Sequence, residues 1–247
     1  MATDTTLDEG NWRFEYKYRL PVSRYLQVRN AIATHMQVDD YTRRAPGGKY
    51  LVRSLYYDSL FLQALEEKIN GDSDRIKYRL RTYSRELGAG TVIRAEMKVR
   101  KGAVTEKYGA LVGSPDYLAF IRNSHWLDAS DAVLAEFERG ILIKTQRPQV
   151  LVEYLREGFI ARDREQVRIT FDHQVKCAHA RELFPTASLF RAHHPGIVIL
   201  EIKCIKKQPD WMRRLVQEHG LRLMANSKYV QAMLTCHPAL VTPAWSA

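Results

Sequence analysis

The chain has 247 residues, 45% hydrophobic and 27% charged, which is enough apolar material for a real core and excludes a disordered polymer. Its 38 Lys and Arg against 28 Asp and Glu leave a net charge of +10 and favour anionic partners: nucleic acid, polyphosphate, nucleotides or an anionic membrane surface. No apolar run approaches the roughly 20 residues of a membrane helix, the polar stretch 1–10 does not read as a signal peptide, and Cys177, Cys204 and Cys236 show no paired spacing for zinc or a disulfide framework.

These features predict a soluble, cytoplasmic protein with reduced thiols. In chain order, a strand is expected at 13–20 (RFEYKYRL). A helix follows from Ser23, with Tyr25, Val28, Ile32 and Met36 on one stripe. Tyr50–Asp58 reads as an aromatic strand, and Ser59 as the cap of a helix burying Phe61, Leu62, Leu65 and Ile69 that ends near Gly71. Next come a basic strand at 74–83, a loop with Gly88 and Gly90, a strand at 92–101, a turn at Gly102 and a short strand at 103–108. Ser114-Pro115 reads as an N-cap with Pro behind it. Ser130 opens a helix carrying Val133, Phe137 and Ile141. Strands are expected at 149–156, 167–177 and 197–205, and closing helices near 210–218 and 226–235. About eight strands with helices between them predict an α+β barrel or a strongly curved antiparallel sheet.

The basic strand carries most information. In Arg75-Ile76-Lys77-Tyr78-Arg79-Leu80-Arg81, alternate side chains point to opposite faces, so four cations share one face. Between Arg75 and Tyr108 there are ten Lys or Arg against three Glu, so the acids that would neutralise this row are not nearby in sequence. The strand at 92–101 repeats the pattern with Arg94, Glu96, Lys98 and Arg100. Glu-x-Lys recurs on three strands: Glu15/Lys17, Glu96/Lys98 and Glu201/Lys203. Arg156 ends one strand, and Arg168, Thr170 and Asp172 share a face of another. Turned outward, these faces are solvated decoration. Turned inward, they require an anion, water or a metal held by the glutamates, because isolated buried charges are expensive. Phosphate chains meet that need through Arg forks and Lys point charges.

Other candidates are weaker. His193-His194 and the set Asp172, His173, Cys177 and His179 fit no zinc spacing. Ser227 has no placed base and reads as a cap or a phosphate hydrogen bond, Lys206-Lys207 as a solvated turn. Tyr56, Tyr57 and Tyr83 read as core aromatics before adenine platforms. The residues interleaved with the basic row face away from it, which argues against base stacking there.

Taken in order, the segments Phe14–Tyr18 (FEYKY), Ser54–Asp58 (SLYYD), Lys77–Arg81 (KYRLR), Glu96–Lys98 (EMK), Val152–Arg156 (VEYLR), Arg168–Asp172 (RITFD), Leu200–Lys203 (LEIK) and Ser227–Tyr229 (SKY) resemble the VTC (vacuolar transporter chaperone) polyphosphate polymerase domain. That domain is a branch of the triphosphate tunnel metalloenzymes, related to the CYTH family. The resemblance implies one domain over 12–235 with flexible tails at 1–11 and 236–247, built as an eight-stranded antiparallel β-barrel, the triphosphate tunnel, with flanking helices. It implies phosphate binding by Lys17, Arg79, Arg81, Lys98, Arg156, Arg168 and Lys228; Lys77, Lys203 and Ser227 join them from the strand faces and the SKY run. Arg79, Arg81, Lys98, Arg168 and Lys228 would be catalytic. Glu201 would hold Mn2+ or Mg2+, with Glu15 and Glu96 as further candidates. The implied reaction moves the γ-phosphoryl of ATP onto phosphate or inorganic polyphosphate. The alternatives are a tripolyphosphatase or nucleoside triphosphatase of the same fold and a non-catalytic binder of polyphosphate or RNA. No specific nucleic acid is expected, and a membrane-protein partner would lie outside this chain. Arg13 stands where CYTH hydrolases often carry the first Glu of Glu-x-Glu-x-Lys, which leans away from simple hydrolysis.

Overall fold

The structure, a computed structural model, describes residues 14–102, 104–128, 130–162 and 167–241. Arg13 and the expected tail at 1–11 lie outside the described residues. The elements are β1 (Phe14–Pro21), α1 (Val22–Ala33), β2 (Met36–Val38), α2 (Asp40–Arg44), β3 (Tyr50–Asp58), α3 (Gln63–Asn70), β4 (Arg75–Thr82), β5 (Ile93–Lys101) and β6 (Val104–Val112). They continue with α4 (Ser114–Asn123), α5 (Ala132–Ile143), β7 (Arg147–Ala161), β8 (Val167–His179), β9 (Arg191–Ala192), β10 (Ile197–Cys204), α6 (Asp210–Glu218) and α7 (Lys228–Cys236). Residues 238–241, expected as tail, form a 3-10 turn.

The fold is α+β, with an antiparallel sheet and seven helices among the described residues. Hydrogen bonding runs in the order β1-β10-β8-β7-β3-β4-β5-β6, with β2 added to β7 and β9 to β8. Among the described residues this path does not return from β6 to β1, so the expected closure into a barrel is corrected to an open sheet. The eight expected strands are all present; the other two are side pairings of three and two residues.

Two compact units divide the chain. One holds the segment to Tyr50, Tyr154–Val175 and His194–Asn226; the other holds Leu51–Glu153, Lys176–His193 and the segment from Ser227. In the first, one sheet face packs on α1 and α6, burying Leu20, Phe171 and Ile202 against Val28, Ile32, Met212 and Leu215. In the second, Tyr78, Leu80, Ala95 and Met97 pack under α4 and α5 with Phe120, Phe137 and Ile141. Gly140 in α5 permits the closest approach: a Cβ there would fall onto the Tyr78 hydroxyl.

Several local expectations shift. Met36 leaves the α1 stripe and opens β2, paired with Ala161. The helix has stopped because Thr34 Oγ1 turns back onto the Ala31 carbonyl at 2.7 Å. α3 starts at Gln63, which leaves Phe61 outside it and 86% exposed; Ile69, within it, is on its open side and 61% exposed. Its cap is shared by Ser59 and the buried Asp58, whose carboxylate accepts from the Ser59, Ala64 and Leu65 amides and from the Tyr229 hydroxyl. Gly113, not Ser114, is the N-cap of α4, since the Ser114 hydroxyl donates to the Gly88 carbonyl at 2.6 Å. Asp131, not Ser130, caps α5 by accepting from Val133 and Leu134. Tyr83 is exposed, whereas Tyr56 and Tyr57 are buried as expected.

Candidate functional site

In the second unit, cross-strand register builds rows on the face opposite the helices. Directly paired residues share a face. Lys77, Lys98 and Lys107 form one row across β4, β5 and β6, and Arg75 with Arg100 a second. Tyr56, Arg79 and Glu96 form a third, and Ser54, Arg81 and Arg94 a fourth. Eight cations on these three strands thus meet a single carboxylate, Glu96. Glu96 is 1% exposed and Arg81 is 6% exposed. The centre of this charged face is thus withdrawn from water, while Lys98 and Lys107 on it stay exposed.

Glu96 holds the rows together. Arg79 Nε stands 2.5 Å from it, Lys107 Nζ 2.7 Å and Arg81 Nε 3.6 Å. Burial opposes its charge, but these three cations outweigh burial and hold its carboxyl well below the usual range. With three basic partners it is placed as a counter-ion to this cluster. Arg79 also reaches the Tyr56 hydroxyl at 3.2 Å. Burial would raise the Tyr56 phenol, yet Arg79, Arg81 and Lys228 together lower it, which places the Lys228 charge in the same cluster.

Lys77 is the least compensated member. Its Nζ lies 3.5 Å from Ser227 Oγ and 5.1 Å from the Tyr229 ring centroid. Burial first, then the charges of Lys68, Arg75 and Lys98, bring its pKa down to about 7, against a smaller upward pull from Asp58.

The first unit carries a second polar face on β1, β10 and β8. Lys17, Glu201 and Thr170 align in one row, Glu15, Lys203 and Arg168 in the next. Lys17 Nζ lies 2.6 Å from Glu15 and 3.9 Å from Glu201, and Lys203 reaches Glu201 at 3.4 Å. Glu201 is 7% exposed, and the Thr170 hydroxyl beside it in register is buried with no hydrogen-bond partner. Arg168 reaches Asp39, the cap of α2, at 3.4 Å. Arg156 grips Asp172 in a two-pronged pair at 2.6 and 2.9 Å. Burial opposes the Arg156 charge, but Asp172 wins and the guanidinium is held firmly protonated.

The structure therefore gathers Lys77, Arg79, Arg81, Glu96, Lys98, Ser227 and Lys228 in one unit, and Glu15, Lys17, Arg156, Arg168, Glu201 and Lys203 in the other. Sequence reading missed Lys107, although it lies in the strand expected at 103–108, because its place beside Lys98 and Glu96 depends on cross-strand register. It also missed Asp39, Asp58 and Tyr229, whose links Asp39–Arg168 and Asp58–Tyr229 join residues far apart in the chain. For a metal, two glutamates sharing one ammonium beside an unpartnered threonine hydroxyl form an all-oxygen set that suits a hard divalent ion. No group of three or more His, Cys, Asp or Glu suited to a metal occurs among the described residues. Such an ion would complete its shell from phosphate and water.

An antiparallel sheet with an apolar helical side and a cation-rich opposite side defines the class. Residues 12–237 match the VTC domain family, and the chain belongs to it. A proposed adenylate cyclase from Bacillus halodurans has a similar solved structure over 90% of this chain and 98% of its own, at 9% identity and a TM-score of 0.51, and shows the same fold. A protein from Hippeastrum, described as a proposed adenylyl cyclase with a dominant triphosphatase activity, is similar over 90% of this chain and 95% of its own, at 12% identity and a TM-score of 0.49. A search of curated proteins gives no match.

Proposed function

We propose that this VTC domain is a divalent-metal-dependent polyphosphate polymerase acting over residues 12–235 as one cytoplasmic domain, with ATP and inorganic polyphosphate as its substrates. The observation that carries the reading is the face of β4, β5 and β6, where strand register sets eight cations around one buried carboxylate, Glu96. An extended anion across this face would offset the mutual repulsion of its cations.

In the reaction, the bond from the γ-phosphorus of ATP to its ADP oxygen breaks, and a phosphate oxygen of the acceptor bonds to the same phosphorus. Catalysis is positioning and charge neutralisation. Arg79 and Arg81 present fixed forks to the oxygens of the transferring group, held in place by Glu96. Lys77, Lys98 and Lys107 line up as point charges for successive phosphates, and Ser227 and Lys228 add a hydroxyl and a charge at the same cluster. In the first unit, Lys17, Lys203 and Arg168 bind further phosphate oxygens, and Arg156 is a positioning residue through Asp172. Glu201 with Glu15 would hold Mn2+ or Mg2+, which would neutralise charge on the phosphate oxygens.

Purified chain incubated with ATP and Mn2+ should yield a ladder of long anionic polymer on a gel, together with ADP. Free phosphate without a ladder would assign hydrolysis, and retained polyphosphate binding without turnover would assign a binding module. Either result overturns the polymerase reading.

A further inference from the structure

Three cysteines far apart in sequence gave no pairing signal, yet the fold brings two of them together. Cys177 on β8 and Cys236 at the end of α7 stand with their sulfurs 3.6 Å apart, and both belong to the second unit. Cys177 is fully buried, with the Arg191 carbonyl 3.7 Å and the Ala232 carbonyl 3.8 Å from its sulfur. Cys236 is partly exposed. The pair is thus asymmetric: one thiol open to a reagent, the other held behind it within reach.

We propose that Cys177 and Cys236 form a redox-active thiol pair, in which Cys236 reduces a hydroperoxide and Cys177 closes the disulfide. The Cys236 thiolate attacks the outer peroxide oxygen; the S–O bond forms, the O–O bond breaks, and the departing alkoxide or hydroxide takes a proton. Cys177 sulfur then attacks the resulting sulfenic acid. The S–S bond forms, the S–O bond breaks, and hydroxide leaves as water with the Cys177 proton. Two thiols lose two electrons and the peroxide gains them.

The polarity of the pair supports this order. The contact between the two sulfurs lowers the Cys236 thiol, against burial and with help from Arg191. That same contact, with burial added, raises Cys177. The thiolate therefore forms on the accessible sulfur. Cys204, buried in the core of the first unit, provides an internal control.

The test uses the full chain and hydrogen peroxide. After brief treatment, alkylation under denaturing conditions should label Cys204 alone, whereas reduced chain is labelled at all three cysteines. Peptide mass spectrometry should find Cys177 linked to Cys236 within one chain, and dithiothreitol should restore full labelling. Cys204→Ala should form the same bond at an unchanged rate. Cys177→Ser should stop at a sulfenic acid on Cys236, trapped by dimedone. Full labelling after peroxide would overturn the proposal. So would Cys236 sulfinic acid without a cross-link, or a disulfide between chains in the unmodified sequence.

Discussion

Lys77 shows how one side chain registers the vacancy of charge around it. Folding lowers its pKa from 10.5 to about 7, so the fold favours its neutral form. The sign follows: below pH 7 the cost is complete, and stability rises as pH climbs from 7 toward the unfolded value. A polyanion reverses the balance, because negative charge restores the ammonium and binding takes up a proton. Polyphosphate affinity should therefore fall as pH rises from about 7 to 9. Titration calorimetry in buffers of different ionisation enthalpy should detect the proton, and Lys77→Met should lose that uptake. Equal uptake in the variant would refute the assignment. Glu96 is the complementary case. Glu96→Gln leaves Arg79, Arg81 and Lys107 facing one another and should destabilise the ligand-free protein by roughly 3 kcal/mol. Added polyphosphate should raise the melting temperature of this variant more than that of the parent, since it replaces the missing counter-charge. An equal rise in both would separate Glu96 from the binding face.

At the scale of elements, the alternation in β4 and β5 was legible because period-2 patterning is local. Which face would be covered was not, since that depends on α4 and α5 docking on Tyr78, Leu80, Ala95 and Met97 from elsewhere in the chain. Helix starts show the same limit. Ser59, Ser114 and Ser130 all carry the right chemistry for a cap; Ser114 turns instead to the Gly88 carbonyl, Asp131 replaces Ser130, and Ser59 shares its role with Asp58. Asp58 took over much of the α3 start because Tyr229, on α7, also bonds it. Asp58→Ala removes the acceptor for three amides and one phenol, and should cost about 1–3 kcal/mol in urea unfolding. It should also weaken polyphosphate binding, because Tyr229 stands over Lys77. A variant unfolding at the parental midpoint would show that Ser59 suffices.

For the whole molecule, the ordered motifs carried the family, which the match over residues 12–237 shows. Closure of the sheet did not follow from a strand count, because register and end-to-end pairing are properties of contacts distant in sequence. Function at this scale is a matter of summed charge. Chelation should stop turnover and Mn2+ or Mg2+ should restore it. Glu201→Ala should resemble the chelated parent even with metal present. Arg79→Ala and Lys228→Ala should abolish ADP release while circular dichroism stays parental. Full activity in all three variants would remove the assigned site. Raising salt should weaken polyphosphate binding steeply, since exposed Lys98 is screened at physiological ionic strength within about 8 Å.

The contact between Gly140 and Tyr78 joins the dry side of this sheet to its wet side. Tyr78 lies between Lys77 and Arg79 on the same strand, so any side chain placed at position 140 must lever α5 off β4 or shove that strand sideways. A methyl group inserted on the apolar side would then re-space Lys77 and Arg79 on the other. Gly140→Ala is in this sense a remote tuning screw, addressing the charged rows through the greasy back of the sheet.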